Sequence, residues 1–192
     1  KFDTDGVRIW ATYYGGTDSD TQGGGIRIDN SGNIWTVGIT KSTDIPTQNA
    51  GGYYDGSWTA GTYNDWACFM MKFTSNGTRQ WASHYDYVWS SGVDIDDSGN
   101  FFVVGNVEYD TPNTQSLSGA YNQSSISLDG SSSGNSDDGF IMKFNNNTSL
   151  LWATCFGSTS DEFINSVDIG SDGYLNIVSS VDNYYGSGVI TQ

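Results

Sequence analysis

Asp94, Asp96 and Asp97 place three carboxylates within four positions and run straight into Ser98-Gly99-Asn100. Oxygen donors of this kind suit Ca²⁺, so a calcium site is one expectation, and calcium is the one cofactor the sequence suggests. The stretch Asp29-Asn30-Ser31-Gly32-Asn33 echoes it. Neither stretch has the spaced ligands and distal Glu of a helix–loop–helix calcium loop. The simpler account of both is a hairpin turn whose Asp and Asn side chains accept bonds from nearby backbone amides.

A second group is aromatic. Tyr53, Tyr54, Trp58, Tyr63 and Trp66 gather in one stretch among glycines and Asp55. Exposed rings beside hydroxyls and carboxylates would suit sugar stacking or a protein interface. The competing account is a small satellite core under a loop. His84 is the only histidine, and without a second His or Cys nearby it makes a poor metal ligand. No nucleophile is placed to form a triad with it. The acidic pairs Asp137-Asp138 and Asp161-Glu162 have the chemistry of an acid and a base, but in surface loops solvated charge explains them. No catalytic residue is assigned, and the chain reads as non-enzymatic.

These residues must be positioned by repeated units. Lys1-Phe2 returns as Lys72-Phe73 and Lys143-Phe144, and Trp10 returns as Trp81 and Trp152, all at an interval of 71. Two markers at one period define units 1–71, 72–142 and a shorter 143–192. Each unit must bury its apolar face against a neighbour. Trp10, Trp81 and Trp152, with Phe69 and Phe140 and with Ile28, Ile95 and Ile169, are the expected repeat core.

Within a unit the pattern is β. Val7–Tyr14 is rich in strand formers and stops at Gly15-Gly16. Residues 25–29 alternate apolar and polar, a Gly-containing turn follows, and residues 33–40 return as a strand. Trp66–Phe73 closes the unit. The second unit repeats this order, and the third repeats its first part. Four antiparallel strands per repeat describe the blades of a β-propeller, here a partial one. The length beyond an ordinary blade falls in residues 41–65 and 106–137. Ser116 to Ser136 reads as a solvated or partly mobile loop.

Composition agrees: aromatics make up 15%, and 25 glycines stand against 2 prolines, a profile of tight turns and pleated faces. The formal net charge of −15 repels phosphate backbones and argues against a nucleic-acid partner. No apolar run approaches the roughly 20 residues of a membrane helix, so membrane insertion is not expected. Cys68 and Cys155 lie in hairpins a unit apart and are expected as two buried thiols rather than a disulfide. The chain has no initiator Met and its third unit is short, so a segment of a longer protein is expected.

The strings Ile9-Trp10-Ala11-Thr12-Tyr13-Tyr14-Gly15-Gly16, Ile28-Asp29-Asn30-Ser31-Gly32-Asn33-Ile34-Trp35-Thr36-Val37-Gly38-Ile39-Thr40 and Ser42-Thr43-Asp44-Ile45-Pro46-Thr47 resemble the SBBP-type bacterial β-propeller repeat. Asp138-Gly139-Phe140-Ile141-Met142-Lys143-Phe144 fits the closing motif of that repeat. Ala67 stands where the closing Asp belongs, and Gly170 and Tyr174 depart from the turn motif of the third unit. The resemblance implies a secreted or bacterial cell-surface protein in which propellers serve as scaffolds or adhesive modules. Its implied partners are other proteins or the remaining blades of a longer chain. It carries no catalytic residues. Two alternatives stand beside it: a carbohydrate-binding module using the 53–66 aromatics, and a fragment of a propeller-fold glycan-acting enzyme.

Overall fold

The structure, a computed structural model, describes residues 1–21, 23–57, 66–107, 112–125, 137–158 and 160–182. Among these the regular elements are all strands: β1 Asp20–Thr21, β2 Ile26–Ile28, β3 Ile34–Thr40, β4 Ala67–Phe73, β5 Arg79–Asp86, β6 Val88–Ile95, β7 Phe101–Val107, β8 Asp138–Phe144, β9 Leu150–Phe156, β10 Asp161–Ile169 and β11 Leu175–Asp182. They form three antiparallel sheets. In the first, β1 and β2 both pair with β3, followed by β4 and β5; the second is β6-β7-β8-β9; the third is β10-β11. No helix of the described residues is long and apolar enough to cross a membrane.

The hairpins form where the alternation and turn residues place them. Asp29 Oδ1 accepts from the amides of Ser31 and Asn33, and Asp96 Oδ1 accepts from those of Ser98 and Asn100. In the same turns Gly32 and Gly99 sit at φ 79° and 78°, a region that costs any residue with a Cβ. The sheets are out of phase with the sequence units. The tryptophan strand was expected to open the sheet of its own unit. Instead β5 pairs with β4, with Lys72 opposite Trp81, and β9 pairs with β8, with Lys143 opposite Trp152. The tight turns Thr74–Thr78 and Asn145–Ser149 hold each such pair together. Val7–Tyr14, expected as a strand, makes only an isolated bridge, Phe2 to Arg8. Among the described residues no strand longer than Lys1-Phe2 lies beside it to complete a ladder.

One core joins the first two sheets, with Trp35, Met70 and Trp81 meeting Phe101, Phe140 and Phe144. A smaller one joins the second and third through Val104, Ile141, Ile164 and Val167. The opposite face of the first sheet, carrying Phe69, Met71 and Phe73, is covered by Trp10 and Tyr14. Trp81, Phe69 and Phe140 are buried as expected. Trp10, Trp152, Ile95 and Ile169 are only half-buried. Ile28 corrects the expected core outright: it is 65% exposed, because β2 lies at a sheet edge whose outer face has no neighbouring sheet. Both cysteines are buried and free, and burial pushes each thiol up to about 12.

The long links are less loose than their composition suggests. Gln48 exchanges two backbone bonds with Ala82 on β5, and Gln115 does the same with Ala153 on β9. Trp81 Nε1 donates to the Tyr53 carbonyl at 2.9 Å, and Trp152 Nε1 to that of Tyr121 at 3.0 Å. The described part of each link therefore lies along the outer strand of its own sheet and covers an edge that would otherwise be open. Residues 116–125 are mostly exposed, as the expected solvated loop requires, though Tyr121 and Gln123 fasten them to β9; 126–136 lie outside the described residues.

Candidate functional site

Of the three aspartates singled out as calcium ligands, Asp94 and Asp96 accept bonds from donors of this chain. Asp94, buried on β6, accepts from Arg27 Nε on β2 at 2.8 Å, from its own neighbour Ile95 N at 2.9 Å, and from Ile169 N on β10 at 2.7 Å. One carboxylate thus ties all three sheets. Burial pushes its pKa up, but the Ile169 amide, the Arg27 bond and the Ile95 amide together outweigh this and hold it below the usual carboxylate range. Asp96 accepts from Ser98 and Asn100 and lies 3.7 Å from Lys143 Nζ. Asp97 is exposed, and its carbonyl accepts from Asn30 Nδ2 at 3.1 Å. Among the described residues no group of three His, Cys, Asp or Glu side chains could hold a metal ion. The turn account describes Asp96, while Asp94 is taken up by donors from all three sheets.

The acidic pairs are also corrected. Asp138 and Glu162 are fully buried rather than solvated. The Asp137 amide donates to Asp161 Oδ1 at 3.2 Å, and the Glu162 amide to the Asp137 carbonyl at 2.6 Å. Ser158 binds Glu162 through its amide at 2.8 Å, the bond that the Gly16 amide makes to Asp20 at 2.7 Å. Such carboxylates fasten the loop that leads into the next sheet.

The aromatic group divides. Tyr53 is no platform: its ring stacks on Tyr85 at 5.3 Å and meets Phe144 at 5.7 Å, as part of the main core. Tyr54 is 42% exposed and bonds Thr47 through its hydroxyl. Trp58 and Tyr63 lie outside the described residues. Trp66 turns the other way, edge-on to Trp89 at 6.1 Å with Lys41 Nζ 4.6 Å over its ring. Trp89 is 40% exposed and, with Asn106, Val107, Asp137 and Phe163, lines a hollow of about 140 Å³. These residues sit where β3 and β7 end and β4, β6 and β10 begin, so one end of the sheets gathers them. Trp89 and Phe163 were missed because β6 and β10 begin several residues before the alternating stretches that signal them. Trp89 beside Tyr85 and Tyr87 was the available clue.

Two titratable groups, His84 and Asp86, lie on the outer strand of the first sheet, with Asp55 of the adjoining link beside them. Burial lowers the pKa of His84, which Asp55 only partly opposes, so the ring is neutral at pH 7. Among the described residues neither ring nitrogen has a hydrogen-bond partner. Burial, with a smaller contribution from Asp55, pushes Asp86 up to about 6. A raised carboxyl pKa gives stability that is full below the unfolded value of 3.8 and lost as pH rises through about 6. Asp86→Asn should therefore stabilise the protein at pH 7.5 by about 1 kcal/mol, discounted for the partial exposure of the group. The gain should vanish near pH 3.5, where both side chains are neutral. His84 is common to both proteins and cancels in the comparison. Urea unfolding at the two pH values measures the difference.

No protein-family model matches this chain, and none of the curated proteins does.

Proposed function

We propose that this chain is a run of β-propeller blades of the SBBP type, serving as a non-enzymatic, extracellular scaffold through which a larger bacterial surface or secreted protein meets its partners. The single observation that carries it is the use made of Asp94. The most promising chemical group in the sequence is spent on fastening three successive sheets to one another, a structural rather than a catalytic use. Covered outer edges on the first two sheets fit the same purpose, since they leave faces and loop ends for contact. The partners are other proteins or further blades. Surface biotinylation of intact source cells tests the placement, and electron micrographs of the native protein test the ring. An unlabelled protein, or sheets that do not stack around an axis, would remove the proposal.

A carbohydrate-binding role is favoured by one observation, the half-exposed Trp66–Trp89 pair with Lys41 above it and a small hollow beside it. Indole faces of this kind stack on sugars. On a glycan array this role expects binding that falls at least tenfold in both Trp66→Ala and Trp89→Ala. The scaffold expects no such tryptophan-dependent signal.

A further inference from the structure

The first-sheet face with Phe69, Met71 and Phe73 is the counterpart, 71 residues earlier, of the second-sheet face with Phe140, Met142 and Phe144. The second face is buried against Trp35, Val37 and Met70 of the first sheet. Among the described residues the first face meets Ile45 of the 41–65 link and, as partly buried hydrophobic partners, Trp10 and Tyr14. Beside these two, a groove of about 450 Å³ opens over Ile34, Thr36 and Met71.

What does lie there follows the pattern of an inter-sheet contact. Tyr14 meets Phe69 at 5.5 Å and 49°, as Tyr85 meets Phe140 at 5.5 Å and 45°. Lys1 Nζ donates to the Ser75 carbonyl, as Lys72 Nζ does to that of Asn146. Phe2 bridges Arg8 in the register in which Phe73 faces Arg79 and Phe144 faces Leu150. The turn bonds agree too: the Asp3 amide reaches Val7, the Thr74 amide Thr78, and the Asn145 amide Ser149.

We propose that residues 1–14 are the closing hairpin of one more sheet of this chain's own repeat type. Arg8–Tyr14 is its outer strand, Lys1-Phe2 is the end of the strand beside it, and the sheet's own apolar face fills the groove. The partner is thus an apolar β-sheet ending in the Phe-Ile-Met-Lys-Phe type of strand, added edge to edge along Ile9–Tyr14. The inference deepens the propeller proposal and rests on it for the remainder of that sheet.

The test extends the full chain at Lys1 by Asp-Gly-Phe-Ile-Met, which copies Asp138–Met142, and follows hydrogen exchange by mass spectrometry. The added strand should slow exchange of the Ile9–Tyr14 amides at least tenfold, while an Asp-Gly-Ser-Asn-Ser extension should not. No slowing, or equal slowing by both extensions, overturns the hairpin. Unchanged near-ultraviolet circular dichroism shows that the rest of the chain is intact in each case. Slowing in a protein whose micrographs show no ring upholds the hairpin and removes only the propeller. A ring without slowing does the reverse.

Discussion

Asp94→Ala should lower the unfolding free energy by about 3–4 kcal/mol, the cost of removing one partner from a buried, charge-assisted network. The substitution strands three donors. Two are backbone amides, Ile95 and Ile169, and the third is Arg27. Arg27 is 42% exposed and can rehydrate, so Arg27→Ala should cost only about 0.5–1 kcal/mol. The Ile169 amide is the more expensive loss, because it belongs to the strand that seats the third sheet. Asp94→Asn keeps the shape but turns an amide donor toward other donors, and should recover little. The sign of the pH effect follows from the depressed pKa. Stability from Asp94 is full above the ordinary carboxylate range near pH 4 and is lost as pH falls through its lowered value. The wild type should therefore lose stability faster than the Ala variant on acidification below pH 4. Urea titrations at pH 7 and pH 3 measure both terms. A cost under about 1 kcal/mol at pH 7 would mean that the three sheets are not held through this carboxylate.

Much of the architecture was legible because hairpins are local. Apolar alternation around Asn30-Ser31-Gly32 and Asp97-Ser98-Gly99 fixes β2–β3 and β6–β7, since the turn residues and the buried side chains agree. The phase of the sheets was not. Thr74-Ser75-Asn76-Gly77 and Asp97-Ser98-Gly99 are turns of equal quality, and a period of 71 does not say which hairpin begins a sheet. The placement of Asp94 was illegible for another reason. Its partners lie 67 and 75 residues away, and a turn-like sequence context gives no sign of them. Tyr53 misled because glycines and an aspartate around it suggest a surface loop, while the edge of β5 draws that segment down onto the core. The Trp66–Trp89 pair joins two strand ends from different sheets, a juxtaposition only the packing provides.

The three repeat tryptophans should not be equivalent in their energetic weight. Trp81 is fully buried, meets Trp35 and Phe144, and satisfies its indole N–H on the Tyr53 carbonyl. Trp81→Ala should cost about 4–5 kcal/mol in lost transfer energy and cavity, with the Tyr53 carbonyl losing its donor as well. Trp10 is half-buried in a cluster with a sheet on one side only, and Trp152 is half-buried at the margin of the smaller core between the second sheet and the two-stranded third. Their alanine variants should cost about 1–2 kcal/mol each, because less surface leaves water and the sites can relax. Guanidinium unfolding of the three variants gives the ranking. Equal costs would contradict it, because the same residue at the same register would then be insensitive to how deeply it is buried. The Trp10 variant carries a second message. In the chain extended by Asp-Gly-Phe-Ile-Met, a paired strand holds the Trp10 ring against Phe73, and the penalty of Trp10→Ala should rise toward that of Trp81→Ala. The rise would measure, in the energy of one side chain, how much of an inter-sheet contact the first fourteen residues already contain.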